Sequence, residues 1–298
     1  LALALEVKEN PLDAILMHLR HALGEGAVEK DREGRPRATP DSTEGIAMVC
    51  GLAHQHGWRV RVEGQASWCP ADAPADLVLS TREMTRIVEF SPADLVATVE
   101  AGMPLGNLQR ELEERGTWLA IDPPGRPERS VGSIVATGTA GPLRHRFGPI
   151  KDHILGGTIV TGDGRVIKAG GQVVKNVAGY DLTKLQVGGF GAFGVLTRLH
   201  LRLRARPTTR VTLIARGEPD GLTRQARQIM ERQIDASALE LCSPALAAEA
   251  EWVLALELDG TESGVADEMA RAIQSAEHPW TPLGKEAAAA FWSGTARA

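Results

Sequence analysis

The spacing of hydrophobic positions predicts three helices in the first part of this 298-residue chain. Leucines and an isoleucine recur every three or four positions over residues 11–23, which is typical of an amphipathic helix. A second helix is predicted to start after a cap at Asp41 or Ser42 and to stop at Gly57. A third runs through PLGNLQRELEERG and ends at Gly116.

Alternating polar and apolar positions predict short strands between and after these helices. Those before residue 103 are WRVRVEG, DLVLS, RIVEF and LVATVEAG. TIVTGDGRVIKAG predicts a hairpin that turns at Asp163 and Gly164. Strict alternation begins at Val195, and its polar side is the stripe Arg198, His200, Arg202 and Arg204. This stripe is either one solvated face of a strand or a docking surface.

The last part of the chain has a different pattern. Beyond Pro207 the segments predict a β-α-β-β-α series, which is most of a ferredoxin-like α+β domain without its last strand. The chain starts at Leu1 without an initiator methionine, and its final segment EAAAAFWSGTARA carries no stop signal. We therefore expect a sequence truncated at both ends.

Composition indicates a soluble globular protein and opposes two other classes. The hydrophobic fraction is 43% and the charged fraction 24%, both ordinary for such proteins. A net charge of -5 opposes a nucleic-acid protein, because a surface that follows phosphates is normally basic. No apolar run approaches the ~18 residues that cross a bilayer.

The number and spacing of the three cysteines limit which redox and metal sites the chain can form. Cys50, Cys69 and Cys242 are far apart and form no CxxC pair, which excludes a thiolate-held iron–sulfur cluster and a structural zinc site. We expect buried free thiols in a reducing cytoplasm. Electrons from any redox reaction must then leave through another chain or a diffusible acceptor.

Small residues cluster in three places where a backbone can approach a ligand. The loop in VRVEGQASW, residues 60–68, can offer N–H groups to a pyrophosphate or be an ordinary corner after a strand. The segment SVGSIVATGTAG, residues 130–141, has one bare flank, which suits either a ligand or close helix packing. GGFGAFG, residues 188–194, must be a curled loop, while Asp181 upstream can cap a helix.

These blocks, in this order, resemble the FAD-binding domain of the vanillyl-alcohol oxidase and p-cresol methylhydroxylase (PCMH) type. Within that superfamily the chain is most similar to FAD-binding subunits of bacterial glycolate oxidases, chiefly through GGQVVKNVAGYDLTKL. The resemblance implies two α+β subdomains with FAD between them over residues 36–207. It also implies a lead-in over 1–35 and a ferredoxin-like cap domain over 208–298.

The resemblance also implies which residues bind the cofactor. The pyrophosphate would face Gly64, Gln65, Ala66 and Ser67; the flavin and ribityl chain would be lined by Pro124, Gly132, Ser133, Thr137 and Gly138; and the adenine end would lie near Gly194 and Val195. The family usually has glycine where this chain has Ala66, and arginine or a small residue where it has Glu63. An acidic side chain beside a pyrophosphate is unfavourable unless it points away. The loop contains no histidine that could tether flavin, so we expect noncovalent FAD.

Oxidation of a 2-hydroxy acid needs a base for the hydroxyl proton, a cation for the carboxylate and positive charge beside the reduced flavin. His145 is the candidate base. Arg144 and Lys175 are candidate cations, although Arg144 and Arg146 are equally typical of solvated loop charge.

The sequence therefore predicts an FAD-binding subunit of a glycolate oxidase-like complex. Its partners would be a second flavoprotein subunit and an iron–sulfur subunit, and it would reach the inner membrane from the cytoplasm only through them. A scaffold subunit with a degenerate flavin fold and a stand-alone FAD-linked 2-hydroxy-acid dehydrogenase are the alternatives.

Overall fold

The helices predicted from hydrophobic spacing are present, together with others that the sequence analysis did not predict. The computed structural model describes residues 11–68, 74–171 and 182–295. Its α-helices are α1 (Pro11–Leu23), α2 (Thr43–His56), α3 (Leu105–Glu113), α4 (Val131–Thr137), α5 (Arg144–Phe147), α6 (Leu182–Leu185), α7 (Pro219–Glu231), α8 (Pro244–Ala247), α9 (Glu262–Gln274) and α10 (Lys285–Thr295). The segments Glu25–Ala27 and Ile150–Asp152 form short 3₁₀ turns.

Strands lie at each place where alternation predicts them, and further short strands occur elsewhere. In the described ranges they are β1 (Val28–Lys30), β2 (Pro36–Ala38), β3 (Val60–Glu63), β4 (Leu77–Ser80), β5 (Ile87–Ser91), β6 (Val96–Glu100), β7 (Thr117–Trp118), β8 (Ile154–Val160), β9 (Val166–Gly170), β10 (Val195–Arg202), β11 (Arg204–Ala205), β12 (Thr209–Gly217), β13 (Ala236–Cys242), β14 (Trp252–Gly260) and β15 (Thr281–Pro282). The short strands β7 and β11 pair with each other.

The ends of α2 show how local sequence sets an element. The Ser42 hydroxyl accepts a hydrogen bond from the Gly45 N–H at 3.3 Å, which satisfies one free donor of the first turn. At the other end Gly57 takes a left-handed conformation with φ 70°, which a residue with a Cβ adopts only at a cost. Both predicted ends of this helix are therefore confirmed.

The chain divides into two compact units that interleave along the sequence. Unit 1 comprises residues 1–108, 127–137 and 154–202, and unit 2 comprises residues 109–126, 138–153 and 203–298. The domain boundaries that the sequence suggests, 1–35, 36–207 and 208–298, remain predictions.

Unit 1 contains two sheets joined by one core. The first has strand order β1-β2-β4-β3, with β4 parallel to both β2 and β3. The second is antiparallel with order β5-β6-β10-β8-β9. Buried side chains from α2, including Ile46 and Val49, share a cluster with Leu77 of the first sheet and Val160 of the second. This mixture of helices and two sheets is the α+β class predicted from the sequence.

The hairpin and three residues of the polar stripe belong to the second sheet, whereas Arg204 is exposed on β11. β8 and β9 pair in register around the predicted turn, where Gly164 has φ 84°. In the stripe, Arg198, His200 and Arg202 are half-buried on β10, which lies between β6 and β8. Burial lowers the pKa of His200, and its Nδ1 lies 2.8 Å from the Thr98 hydroxyl. The stripe is thus partly covered rather than fully solvated.

Unit 2 is built on a four-stranded antiparallel sheet with order β13-β14-β12-β15. Leu213 and Leu256 face a cluster that includes Ile229 of α7 and Val265 of α9. Their neighbours on the opposite face, among them Ile214, pack against residues of α8 and α10. The element order β-α-β-β-α-β and this strand order are those of a ferredoxin-like fold.

The expectation that this motif lacks its last strand is corrected by β15. Thr281 and Pro282 pair with Ile214 and Leu213 at the edge of the sheet. A strand of two residues leaves no alternating pattern in the sequence. One of its residues is a proline, which sheets tolerate at their edges.

The thiols behave as predicted where they can be observed. Cys50 and Cys242 are free and buried, and burial raises the pKa of each to about 11. Cys69 lies outside the described residues. Within the described ranges, no helix combines the length and apolar character needed to cross a bilayer.

Candidate functional site

A cleft of about 520 Å³ lies in unit 1, where three segments meet. The segments are the loop after β3, helix α4 and the turns before β10. Its lining from these segments consists mainly of small residues and loop backbone, namely Gly64, Gln65, Ala66, Ser67, Trp68, Gly132, Ser133, Ala136, Thr137, Gln186, Phe190, Gly191 and Gly194. The volume is within the range of ~300–1,000 Å³ that small-molecule sites occupy.

The loop after β3 is anchored by hydrogen bonds to neighbouring segments. The Gln65 amide donates to the carbonyl oxygens of Arg82 at 3.2 Å and Gly102 at 2.9 Å. The Ser80 hydroxyl donates to the Gly64 carbonyl at 3.0 Å. These bonds hold the loop against the residues at the ends of β4 and β6.

Two glycines of the cleft are required by packing inside the protein. A Cβ on Gly64 would lie 2.0 Å from the Ser130 hydroxyl oxygen. A Cβ on Gly132 would lie 2.7 Å from the Ala101 carbonyl oxygen. Close packing is therefore confirmed for these two glycines, which also line the cleft, and the ligand interpretation of the segment remains a prediction.

Helix α4 presents hydroxyl groups to the cleft and buries its apolar side. Ser133 and Thr137 line the cleft, whereas Ile134 and Val135 are fully buried. Both hydroxyls also accept hydrogen bonds from the guanidinium of Arg129, which precedes the helix and is itself buried. The helix thus connects a buried cation with the wall of the cleft.

The GGFGAFG segment is the curled loop that its composition predicts. The Phe190 N–H donates to the Ala136 carbonyl at 2.8 Å, and the Gly188 N–H donates to the Val135 carbonyl at 3.2 Å. The loop therefore satisfies carbonyl groups at the end of α4. Phe190 has φ 49°, and its side chain is exposed beside the cleft.

The charged residues among the described lining of this cleft are Arg37, Arg61 and Glu63. An Oε of Glu63 lies 3.0 Å from the guanidinium of Arg37, and its other oxygen lies 3.9 Å from that of Arg61. Glu63 is therefore held between two cations. The unfavourable charge that the sequence raises at this position is balanced within the protein.

Most of the predicted cofactor residues meet in this cleft. The members that line it are Gly64, Gln65, Ala66, Ser67, Gly132, Ser133, Thr137 and Gly194. Val195 follows Gly194, but its side chain is in the core cluster of unit 1. Pro124 and Gly138 fall in unit 2.

The predicted catalytic residues are not brought together in the described part of the chain. Arg144 and His145 lie exposed on the single-turn helix α5 of unit 2, where the sequence suggested a loop. Lys175 lies outside the described residues, as do Asp181 and most of the segment GGQVVKNVAGYDLTKL. Arg146 forms ion pairs with Asp259 at 2.7 Å and Asp235 at 2.8 Å, so its charge serves the packing of unit 2.

Unit 2 has a cavity of its own, of about 1040 Å³, on the α10 side of the sheet. Asp122 lines it, accepts the Leu143 N–H at 3.1 Å, and has its pKa raised to about 7 by burial. Burial also raises the pKa of Glu257, which lies 3.5 Å from Arg210. The Arg210 guanidinium lies 4.9 Å from the ring centroid of Trp118. The cavity therefore combines protonatable carboxyl groups with a cation.

Sequence reasoning missed four residues around the unit 1 cleft: Arg37, Arg61, Arg129 and Trp68. The alternation of RVRVE does place Arg61 and Glu63 on one face of β3, so that pair could have been found. Arg37 is distant in sequence, and only the pairing of β2 with β4 brings it there. Nothing in the segment PERSVGS indicates that Arg129 is buried.

Comparison with known families shows which kind of domain contains the cleft. The family model described as "FAD binding domain" matches residues 36–170, which include the loop after β3 and helix α4. Over residues 36–170 the chain is therefore similar to FAD-binding domains. The resemblance predicted from the sequence is thereby confirmed, and the matched residues include much of the lining of the unit 1 cleft.

Three curated relatives resemble parts of the chain. It is 42% identical over 128 residues to glycolate oxidase subunit GlcE of Escherichia coli K12, covering 43% of this chain and 37% of the relative. It is 29% identical over 205 residues to subunit GlcD of Bacillus subtilis 168, covering 67% and 44%. It is 31% identical over 182 residues to D-2-hydroxyglutarate dehydrogenase of Xanthomonas citri, covering 60% and 39%. The chain thus matches less than half the length of each.

Solved structures share the fold of this FAD-binding domain and of the part that follows. An alkyldihydroxyacetonephosphate synthase superposes with TM-score 0.80 at 14% identity, over 95% of this chain and 63% of that one. A p-cresol methylhydroxylase superposes with TM-score 0.78 at 14% identity, over 98% and 70%. At this level of identity the likeness demonstrates the PCMH-type fold.

The residues of the cleft are chemically suited to FAD. Hydroxyl groups from Ser67, Ser133 and Thr137 supply hydrogen-bond partners for a ribityl chain. Arg37 and Arg61 supply positive charge for a diphosphate. Small residues on α4 leave room for a flat ring system along one wall.

Proposed function

We propose that this chain is the FAD-binding subunit of a glycolate oxidase-like complex. It takes part in oxidising glycolate, or a related 2-hydroxy acid, to the 2-oxo acid. The observation that carries this proposal is the presence, in one chain, of an FAD-binding domain and 42% identity to a glycolate oxidase subunit. The name of the dehydrogenase relative supports the same substrate class, a carboxylic acid with a hydroxyl group on C2.

The reaction removes a hydride from C2 and a proton from the hydroxyl group, and it leaves a carbonyl group. Bound FAD supplies the acceptor for the hydride. The chain must bind the cofactor, hold the substrate carboxylate and accept the hydroxyl proton. Cofactor binding is the role for which the described residues give the most support.

We assign cofactor binding to the residues predicted from the sequence. The pyrophosphate would lie against Gly64, Gln65, Ala66 and Ser67; the flavin and ribityl chain against Pro124, Gly132, Ser133, Thr137 and Gly138; and the adenine end near Gly194 and the backbone of Val195. Loop residues 64–68 contain no histidine, and the binding is noncovalent.

We assign catalysis to residues of α5 and of the segment GGQVVKNVAGYDLTKL, which contains Lys175. His145 is the proton acceptor, Arg144 binds the substrate carboxylate, and Lys175 supplies positive charge beside the reduced flavin. The exposure of Arg144 and His145 on α5 is consistent with groups that meet a substrate or a partner chain.

Electrons pass to partner chains. The three widely separated cysteines form no CxxC pair, so a second flavoprotein subunit and an iron–sulfur subunit are the proposed recipients. The word "subunit" in the names of two relatives supports an assembly of several chains. The cytoplasmic location, with contact to the inner membrane through these partners, belongs to the same proposal.

A stand-alone FAD-linked 2-hydroxy-acid dehydrogenase is the second candidate. It is favoured by the likeness to D-2-hydroxyglutarate dehydrogenase over 60% of this chain. A scaffold subunit without flavin is motivated by Glu63, by Ala66 and by the lack of a convincing base. It has less support because Glu63 is balanced by Arg37 and Arg61.

Anaerobic reduction tests these candidates. The FAD-loaded chain is mixed with glycolate or D-lactate, first alone and then with its co-purified partner subunits, and bleaching of the flavin absorbance is recorded. The proposal expects bleaching that is complete only in the complex, and that is slowed at least about 100-fold by His145→Ala. His21→Ala, an exposed histidine on α1, is the matched control. Full bleaching of the isolated chain favours the stand-alone enzyme, and no bleaching in either sample contradicts both.

A further inference from the structure

Arg37 and Arg61 occupy equivalent positions on either side of β4 in the first sheet. Both are paired in register with Val78 of β4, Arg37 from β2 and Arg61 from β3. Neighbouring strands lie ~4.8 Å apart, so the two backbones are separated by about 10 Å across β4. Both side chains line the unit 1 cleft. Two guanidinium groups therefore approach the same cleft from opposite sides of one strand.

Glu63 sets the spacing of these two guanidinium groups. Its two oxygens lie 3.0 Å from Arg37 and 3.9 Å from Arg61. Arg61 also lies 4.0 Å from Asp31, which is bound by Arg35 at 3.0 Å. The side chains of Arg37, Arg61 and Glu63 are each at most 19% exposed. This network restrains both arginines before any ligand binds, which lowers the entropic cost of binding.

The charges that face the cleft favour an anion. One carboxylate between two guanidinium groups leaves an excess of one positive charge among the described lining residues. Because the network is partly buried, solvent screens it less than it screens surface charges. Guanidinium groups bind phosphate oxygens through charge-assisted, often bidentate hydrogen bonds.

We propose that Arg37 and Arg61, spaced by Glu63, bind the diphosphate of FAD and make cofactor selection depend on phosphate. The pair lies on β2 and β3, outside the glycine loop itself. The chain therefore distinguishes FAD from riboflavin mainly through two side chains of the sheet. This inference concerns cofactor binding and does not depend on which substrate is oxidised.

The test is a fluorescence titration of the flavin-free 298-residue chain with FAD and with riboflavin. Arg37→Gln and Arg61→Gln are each expected to weaken FAD binding about tenfold and to change riboflavin binding less than about twofold. Arg59→Gln is the matched control. Arg59 lies two residues before Arg61, is exposed, pairs with Asp76 at 2.8 Å and is absent from the lining.

Conservative variants keep the test decisive if the glutamine variants fold poorly. Arg37→Lys and Arg61→Lys retain the positive charge and the ion pair to Glu63, but they lose the guanidinium fork. We expect about a threefold loss of FAD affinity and no change for riboflavin. Circular dichroism checks that each variant is folded. Equal losses for FAD and riboflavin, or unchanged FAD affinity in the folded variants, would overturn the inference.

ADP provides an independent probe of the same phosphate contacts. Added alone to the flavin-free chain, ADP is expected to raise the melting temperature of the wild type and of Arg59→Gln. The same ADP concentration should give a smaller rise in Arg37→Lys and Arg61→Lys. An equal rise in all four proteins would count against the arginine pair as the diphosphate site.

Discussion

The guanidinium of Arg129 lies 4.2 Å from the centre of the Trp68 ring, which joins the loop after β3 to the start of α4. Arg129 is almost fully buried and also donates hydrogen bonds to the hydroxyls of Ser133 and Thr137. One side chain thus ties together two of the three segments that form the cleft. We infer that the shape of the cleft depends on this residue.

Replacing Arg129 with methionine should destabilise unit 1 and weaken FAD binding together. The variant loses charge-assisted hydrogen bonds to Ser133 and Thr137 and the cation–π contact with Trp68. We expect the free energy of unfolding to fall by about 2 kcal/mol. Urea unfolding measures this, and Arg126→Met, an exposed arginine, is the control. A stability equal to that of the wild type would show that Arg129 does not hold the loop.

Gly64→Ala should disrupt the loop because its Cβ would lie 2.0 Å from the Ser130 hydroxyl. Ser130 is buried, so it cannot move freely, and we expect a loss of about 2 kcal/mol in stability. Adding Ser130→Gly removes the clash and should recover about half of the loss. The measurement is a double-mutant cycle by urea unfolding. Additive losses would contradict the contact.

Gly51→Ala is expected to raise stability, in contrast to Gly64→Ala. Gly51 lies inside α2, and a Cβ there would meet no atom within 4 Å. Alanine is the better helix former, so this variant should gain up to about 1 kcal/mol in the free energy of unfolding. A loss of stability here would indicate that glycine substitutions in this domain act by another route.

Ala66→Gly should relieve backbone strain in the loop. Ala66 has φ 51°, a left-handed conformation that costs a residue with a Cβ about 1 kcal/mol. This agrees with the glycine that the family usually has at this position. Glycine also increases the entropy of the unfolded chain, so the net gain in stability should be about 0.5 kcal/mol. Thermal unfolding of the two proteins in parallel measures it, and a lower melting temperature for the variant would refute the strain.

Asp122→Asn should stabilise the protein at high pH only. Burial raises the folded-state pKa of Asp122 from 3.8 to about 7, so the folded protein keeps a proton that the unfolded chain releases. The stability that this proton contributes is fully present below about pH 4 and is lost as the pH rises through 7. Asparagine carries no charge to bury, and its carbonyl oxygen still accepts the Leu143 N–H.

The check is urea unfolding of the wild type and Asp122→Asn at pH 4 and pH 8. We expect equal stability at the lower pH and an advantage for the variant at the higher pH on the order of 2 kcal/mol. Asp267→Asn, an exposed residue of α9, should show no such difference. The same advantage at both pH values would mean that Asp122 does not bind a proton in this range.

Local features of the fold could be predicted from the sequence because their causes are local. The cap at Ser42, the stop at Gly57 and the turn at Gly164 each depend on neighbouring residues. The strand β15 could not be predicted, since Thr281 and Pro282 become a strand only through pairing with β12.

The backbone segments that line the candidate site could be predicted from the sequence. Glycine clusters indicated the loop at Gly64 and the flank at Gly132, and both line the cleft. The charges were not predictable, because Arg37 and Glu63 meet only across β4. From the sequence alone, the negative charge of Glu63 is expected to repel a diphosphate. The structure shows that Glu63 forms ion pairs with Arg37 and Arg61 and is part of the site.

The central claim is that this chain holds FAD in the unit 1 cleft, and the flavin content of the purified chain tests it most directly. Ala136 lines the cleft, so Ala136→Trp should block it, whereas Ala93→Trp places the same ring on an exposed turn. We predict that the wild type and Ala93→Trp carry stoichiometric, acid-releasable FAD and that folded Ala136→Trp carries almost none. Well-folded wild type without flavin, or equal flavin in both tryptophan variants, would contradict the account.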